Sequence, residues 1–121
     1  MKLYTTPEQT AKLIELGFEK SKSERWVLDV ANESTPNIQN IVKRQDYSIG
    51  ELIEMLPEAL CTSHDDSCHY HLSMDTDACM WRVRYMDDFD VTLCATYDVE
   101  LINALYDMVI VLKRQGIMPN D

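Results

Sequence analysis

The chain has 121 residues, with 11 Lys and Arg against 21 Asp and Glu, for a net charge of −10. That length is one domain's worth and can bury a core without disulfides or a metal, while three Gly and four Pro exclude collagen-like and low-complexity classes. The acidic field repels phosphate, which argues against direct nucleic-acid binding and docking on anionic lipid, and no run of about 18 apolar residues is available to span a membrane.

The charge is uneven. Residues 1–60 carry 7 basic and 10 acidic side chains, and residues 61–121 carry 4 and 11. The second half therefore suits a partner with a basic surface. The opening MKLYTTPEQTAKLIELG has one Lys, no apolar central stretch and no small-residue cleavage site, so the expectation is no secretory signal and a cytoplasmic location. In that reducing compartment Cys61, Cys68, Cys79 and Cys94 are expected as thiols.

The first helix is signalled by Thr6 as N-cap, Pro7 at the first helical position and Gln9 completing a capping box. Leu13 and Ile14 are its expected core contacts, Gly17 its stop, and Phe18 the residue that folds back onto it. Residues 26–30 then read as a short strand with Trp26, Leu28 and Val30 on one face, and residues 32–37 as a turn. Ile38, Ile41 and Val42 suit either a helical turn or the return strand of a hairpin, and the strand is preferred. A second helix follows Ser48, whose capping box with Glu51 is joined by a staple between Tyr47 and Leu52. Pro57 ends it or begins a last turn through Leu60.

Residues 69–96 alternate in three successive runs, the mark of an antiparallel meander. A turn at Thr76 and Asp77 sets Met74 opposite Cys79, Leu72 opposite Trp81 and Tyr70 opposite Val83. An odd loop at Asp87, Asp88 and Phe89 sets Tyr85 opposite Val91 and Val83 opposite Leu93. A slip of one residue would turn each apolar set outward, so the pattern is expected to hold the register. Leu101, Ala104, Leu105, Met108 and Leu112, flanked by Ile102 and Val109, form the stripe of a third helix that covers the sheet. Thr96 or Asp98 is its expected cap, and Gly116 its stop. The whole chain, 1–121, is thus expected to be a single α+β domain. Its three- to four-stranded antiparallel sheet carries a long C-terminal helix and two shorter helices on one face.

The segments MKLYTTPEQTAKLIELGF, YSIGELIEMLPEAL and ELINALYDMVIVLKRQG resemble a set of small uncharacterised proteins of gut-bacterial genomes and their mobile elements. The resemblance covers both ends and the middle helix. It implies an accessory role inside the cell and carries no activity or site residue with it.

Chemistry-bearing residues concentrate at 61–71. Cys61, His64, Cys68 and His71 offer four soft or borderline ligands for zinc, the alternative to a protein with no cofactor. The expected register sets His71 beside Arg82 and His69 beside Arg84, which works against a metal cation there. It also sets Cys94 opposite Arg82 and near His71, an arrangement that lowers a thiol pKa, although no third orienting group accompanies it. The pairs Asp65–Asp66 and Asp87–Asp88 fit turns better than a calcium loop. No phosphate-binding, nucleophile-elbow or zincin motif occurs, so no enzyme is expected. The outer sheet face, with Met80, Arg82, Arg84 and Met86, reads as an interface. The leading reading is a non-enzymatic interaction protein, with a homodimer in which Arg82 and Arg84 meet acids such as Asp90 of a second copy. A zinc-binding protein and an acidic mimic of nucleic acid that occupies a basic partner are the alternatives.

Overall fold

The computed structural model describes residues 1–28, 38–62 and 65–117, with the side chains of residues 62 and 65–68 left aside. It is an α+β arrangement of helix α1 (Pro7–Glu15), strands β1 (Arg25–Leu28) and β2 (Ile41–Arg44), helix α2 (Ile49–Met55), strands β3 (Ala59–Thr62), β4 (Asp65–Asp77), β5 (Met80–Met86) and β6 (Thr92–Asp98), and helix α3 (Leu101–Arg114). Val30, the turn at 32–37 and His64 lie outside the described residues.

Local signals set the helix ends. The Thr6 hydroxyl accepts the Gln9 amide at 3.1 Å, and the Gln9 side chain accepts the Thr6 amide at 2.9 Å. At the other end Gly17 turns to φ +100°, and the amides of Gly17 and Phe18 donate to the carbonyls of Ile14 and Leu13. This paired closure brings Phe18 back over Leu13, and both are buried. Ile14 is 40% exposed, against expectation. The buried face of α1 consists of Leu13 and Thr10, because Thr10 is drawn inward by hydrogen bonds to Thr5 and Asp46. Helix α2 has the expected capping box between Ser48 and Glu51 and buried staple residues Tyr47 and Leu52.

Strands β1 and β2 form a separate antiparallel pair, with Trp26 opposite Lys43 and Leu28 opposite Ile41. The hairpin choice for Ile41 and Val42 holds, after a 3₁₀ turn at Ile38–Asn40. Its facing is the reverse of the expected one: Trp26 is 71% exposed, and Arg25 and Val27 turn inward. The reason is electrostatic, since Arg25 must reach the buried Asp46 carboxylate at 3.0 Å.

The second sheet has the order β3-β4-β5-β6, all antiparallel. Strand β3 takes the place of the last helical turn considered for residues 57–60. Pro57 disfavours helical backbone at Leu56, which lies at ψ 137°. The β4–β5 turn falls at Ala78 and Cys79, both with positive φ, and not at Thr76 and Asp77. Leu72 then faces Tyr85 and Met74 faces Val83. The displacement is even, so the inward set is unchanged.

Between β5 and β6 the displacement is odd. Tyr85 faces Cys94 and Val83 faces Thr96, with an irregularity at Tyr85/Met86. The loop is longer than expected because Asp87 closes it: its carboxylate accepts the amides of Phe89 and Val91, its amide donates to the Val91 carbonyl, and Asp90 sits at φ +67°. Cys94 and Thr96 therefore turn toward α3, and Leu93 turns away, 52% exposed. Thr96 donates to the Ala104 carbonyl at 2.6 Å. Thr96 is thus not the α3 cap; the N-cap is Glu100, without a side-chain cap bond, although Asp98 accepts the Glu100 amide. The α3 stripe is as expected: Leu101, Ile102, Ala104, Leu105, Met108, Val109 and Leu112 are buried against the inner sheet face and α2. Gly116 turns to φ +70° and ends the helix.

Candidate functional site

Strand alternation sends Met80, Arg82, Arg84 and Met86 to the outer face of the sheet, between Asp77, Asp75, Ser73 and His71 of β4 and Tyr97 and Ala95 of β6. Arg82 forms a two-pronged bond with Asp75, at 2.7 Å on each prong, and lies 3.7 Å from Asp77. Arg84 is 8% exposed and donates to Thr92 at 3.0 Å and to Asp90 at 3.2 Å. The hydrogen bond and charge of Arg82, helped by Arg84 and opposed by burial, hold the Asp75 carboxyl below its usual range. The acid that meets Arg84 is this chain's own Asp90, so the two guanidinium groups neutralise acids within the molecule. Met80 is exposed and Met86 half-buried.

The residues expected as zinc ligands are only partly brought together. Cys61 faces His69 across β3 and β4, with Sγ 3.0 Å from Nδ1. His71 lies on the same strand face, its ring centroid 6.1 Å from that of His69. His64 and the side chain of Cys68 lie outside the described residues, as do the side chains of Asp65 and Asp66. Among the described residues no group of three or more His, Cys, Asp or Glu is placed to hold a metal. The expected crowding of histidine by arginine does not occur, because His71 faces Met86. Cys94 does not stand on the outer face. It contacts the Met108 sulfur at 3.9 Å, and burial pushes its thiol pKa up, the reverse of what a thiolate nucleophile needs.

The feature that sequence reasoning missed is the exposed side of β6. Phe89 is 87% exposed, and Val91, Leu93, Tyr97 and Val99 are each 47% or more exposed. Leu93 and Tyr97 share the outer face of the strand with Ala95. The available signal was that both alternating sets of this strand are mixed, Leu93-Ala95-Tyr97 against Cys94-Thr96-Asp98, so hydropathy alone does not choose between them.

Acids surround this edge. Asp87, Asp88 and Asp90 lie before the strand, and Asp98 and Glu100 lie at its end. Asp107 of α3 is close enough to Asp98 that burial first, and the Asp98 charge second, push its carboxyl pKa up.

Comparison with protein-family models, with curated proteins and with solved structures finds no match. Fold and surface together define a class: a small α+β domain whose sheet ends in an apolar, acid-flanked strand. Among the described residues no helix is long and apolar enough to cross a membrane.

Proposed function

We propose that the protein is a non-enzymatic interaction module that takes a protein partner along the β6 side of its sheet. The observation that carries this reading is the exposed pair Leu93 and Tyr97 on β6, with exposed Phe89 and Val91 in the loop before the strand and Val99 just after it. Single exposed apolar side chains are ordinary, but several within one strand and its flanking loops resemble an interface more than a solvated surface. The arginines on the same sheet face do not compete for this role, since their charges are met by Asp75 and Asp90. A cytoplasmic setting belongs to the same proposal and is supported by the free thiols of Cys61, Cys79 and Cys94.

The test is a photo-crosslinking amino acid placed singly at positions 93, 97 and, as a control, 15, where the α1 side chain is 72% exposed. Discrete protein adducts from 93 and 97 and none from 15 are expected. Adducts that are absent, or equal at all three positions, reject the reading. An adduct of twice the chain's mass identifies the partner as a second copy.

A further inference from the structure

The sheet has two edges, and they differ. Strand β3 is four residues long, whereas β6 runs for seven, Thr92–Asp98. Among the described residues β6 is paired with β5 on one side and with no strand on the other. Edge strands of natural proteins are usually blunted by Lys, by Pro or by brevity. The β6 sequence TLCATYD has none of these. An unpaired strand of this length offers a row of backbone donors and acceptors to an incoming extended segment.

The electrostatics select the segment. From 87 to 107 the chain carries Asp87, Asp88, Asp90, Asp98, Glu100 and Asp107, and no Lys or Arg. Asp90 is engaged by Arg84, whereas Asp98 is bonded only to the neutral Glu100 amide and Asn103 side chain and keeps its negative charge unpaired by a cation among the described residues. A cation supplied from outside is attracted to such a carboxylate. The same arrangement disfavours a second copy. A two-fold pairing of β6 with β6 is antiparallel, so the Asp87–Asp90 end of one strand would meet the Asp98–Glu100 end of the other, acid against acid at both ends.

We infer that β6 is a docking edge for an extended segment of another protein with alternating apolar and basic residues, which adds to the sheet as a fifth strand; this rests on the interaction-module reading above. Backbone pairing supplies the geometry. Leu93 and Tyr97 receive the apolar side chains, and the acids not met by Arg84, Asp87 and Asp88 before the strand and Asp98 and Glu100 at its end, receive the basic ones.

The experiment uses the full chain and four synthetic peptides: Val-Lys-Val-Lys-Val-Lys-Val, the same peptide with Glu for Lys, and the lysine peptide N-methylated at alternate residues in each of the two registers. Amide chemical shifts and hydrogen exchange are followed by NMR. The lysine peptide is expected to slow exchange of the 92–98 amides. The glutamate peptide and the Leu93→Lys variant are each expected to bind about tenfold more weakly. Placing the N-methyl groups on the pairing edge should abolish the protection, because it removes the donors of that edge. The inference is overturned if the lysine and glutamate peptides bind alike, if neither binds, if N-methylation in either register has no effect, or if the perturbed amides lie outside 87–107. Should Leu93→Lys fail to fold, the peptide comparison still decides. Crosslinked partners at positions 93 and 97 together with no peptide binding would leave the module reading standing and remove the added strand alone.

Discussion

Around Asp46 the chain is held by buried polar contacts, whereas around Met108 it is held by apolar packing. Asp46 is 1% exposed and accepts hydrogen bonds from Thr10, Arg25 and Arg44, which ties α1 to the β1–β2 hairpin. Glu51, in the first turn of α2, accepts from the Ser21 and Ser23 hydroxyls and the Ser48 and Lys22 amides, and so fastens the connector at 21–23. Tyr47 donates to the Glu19 carbonyl. Between α3 and the larger sheet Leu105, Met108, Val83 and Tyr85 are fully buried in the hydrophobic core, with Tyr85 reaching one polar partner, the Pro57 carbonyl at 2.7 Å. The contrast teaches where each kind of force is used. A long helix on a sheet buries enough apolar area to hold itself. A two-stranded hairpin does not, and here it is fixed by a carboxylate instead.

This comparison can be broken at either end. Leu105→Ala removes a side chain with no exposure from the α3–sheet contact, and a loss of about 3 kcal/mol is expected from urea unfolding, with the slope unchanged. A loss below about 1 kcal/mol would mean that the apolar layer closes over the gap and is less tightly packed than described. Asp46→Ala should cost less, about 2 kcal/mol. The side chains of Arg25 and Arg44 are 34% and 32% exposed and regain water when their partner goes, which softens the penalty of an abandoned charge. Exchange of the amides in β1 and β2 should speed up in this variant while those of β5 and α3 keep their protection. Equal loosening of both regions would show that the hairpin is not separately held.

The smallest effect is a pH dependence confined to the polar side. Burial favours the neutral form of Glu51, but hydrogen bonds from Ser23, Ser21, Ser48 and Lys22 outweigh it and hold the carboxyl down to about 2, from 4.5. Asp46 is likewise held below its ordinary value: burial opposes, and the hydrogen bonds of Arg44 and Thr10 and the charges of Arg44 and Arg25 prevail. A carboxyl with a folded pKa below its unfolded one binds fewer protons in the folded state. Its contribution is therefore complete above the unfolded value and lost as pH falls toward the folded one. Stability should begin to fall as pH drops through about 4.5; the full shift of Glu51 sets an upper bound of ~3 kcal/mol by pH 2, which solvent screening of this half-buried carboxyl reduces to ~1–2 kcal/mol. Glu51→Gln should be less stable at neutral pH and show a shallower acid slope, measured by urea titrations across that range. An unchanged slope would remove Glu51 from the account.

Both ends of α1, the start of α2 and the end of α3 were legible because each is written within four or five residues, whereas the start of α3 was not, since its N-cap Glu100 makes no side-chain cap bond. Thr6-Pro7-Glu8-Gln9 and Ser48-Ile49-Gly50-Glu51 carry their own capping bonds, and Gly17 and Gly116 supply the left-handed backbone that closes a helix. The strands were legible as strands and not as a register. Ala78 and Cys79 are poor advertisements for a turn that needs positive φ, so the neighbouring Thr76 and Asp77 drew the assignment. That error was even and left the faces intact, and the register that results gives Arg82 its two-pronged Asp75. The β5–β6 error was odd and reversed the faces. Of the candidate site, the outer-face position of Met80, Arg82, Arg84 and Met86 was legible by alternation, but the intramolecular acids that occupy the arginines were not.

Sequence by itself determined the α+β class, the position of three helices, the covering stripe of α3 and an acidic C-terminal half, because periodicity, caps and charge are properties of short stretches of chain. Tertiary structure alone decided that Trp26 points outward, since a buried Asp46 from 21 residues away claims Arg25 for the interior. It also decided that β6 shows Leu93 and Tyr97 to solvent. A strand with two mixed faces has no strong preference of its own. The loop closed by Asp87 and the bond from Thr96 to Ala104 of α3 supply that preference from outside the strand.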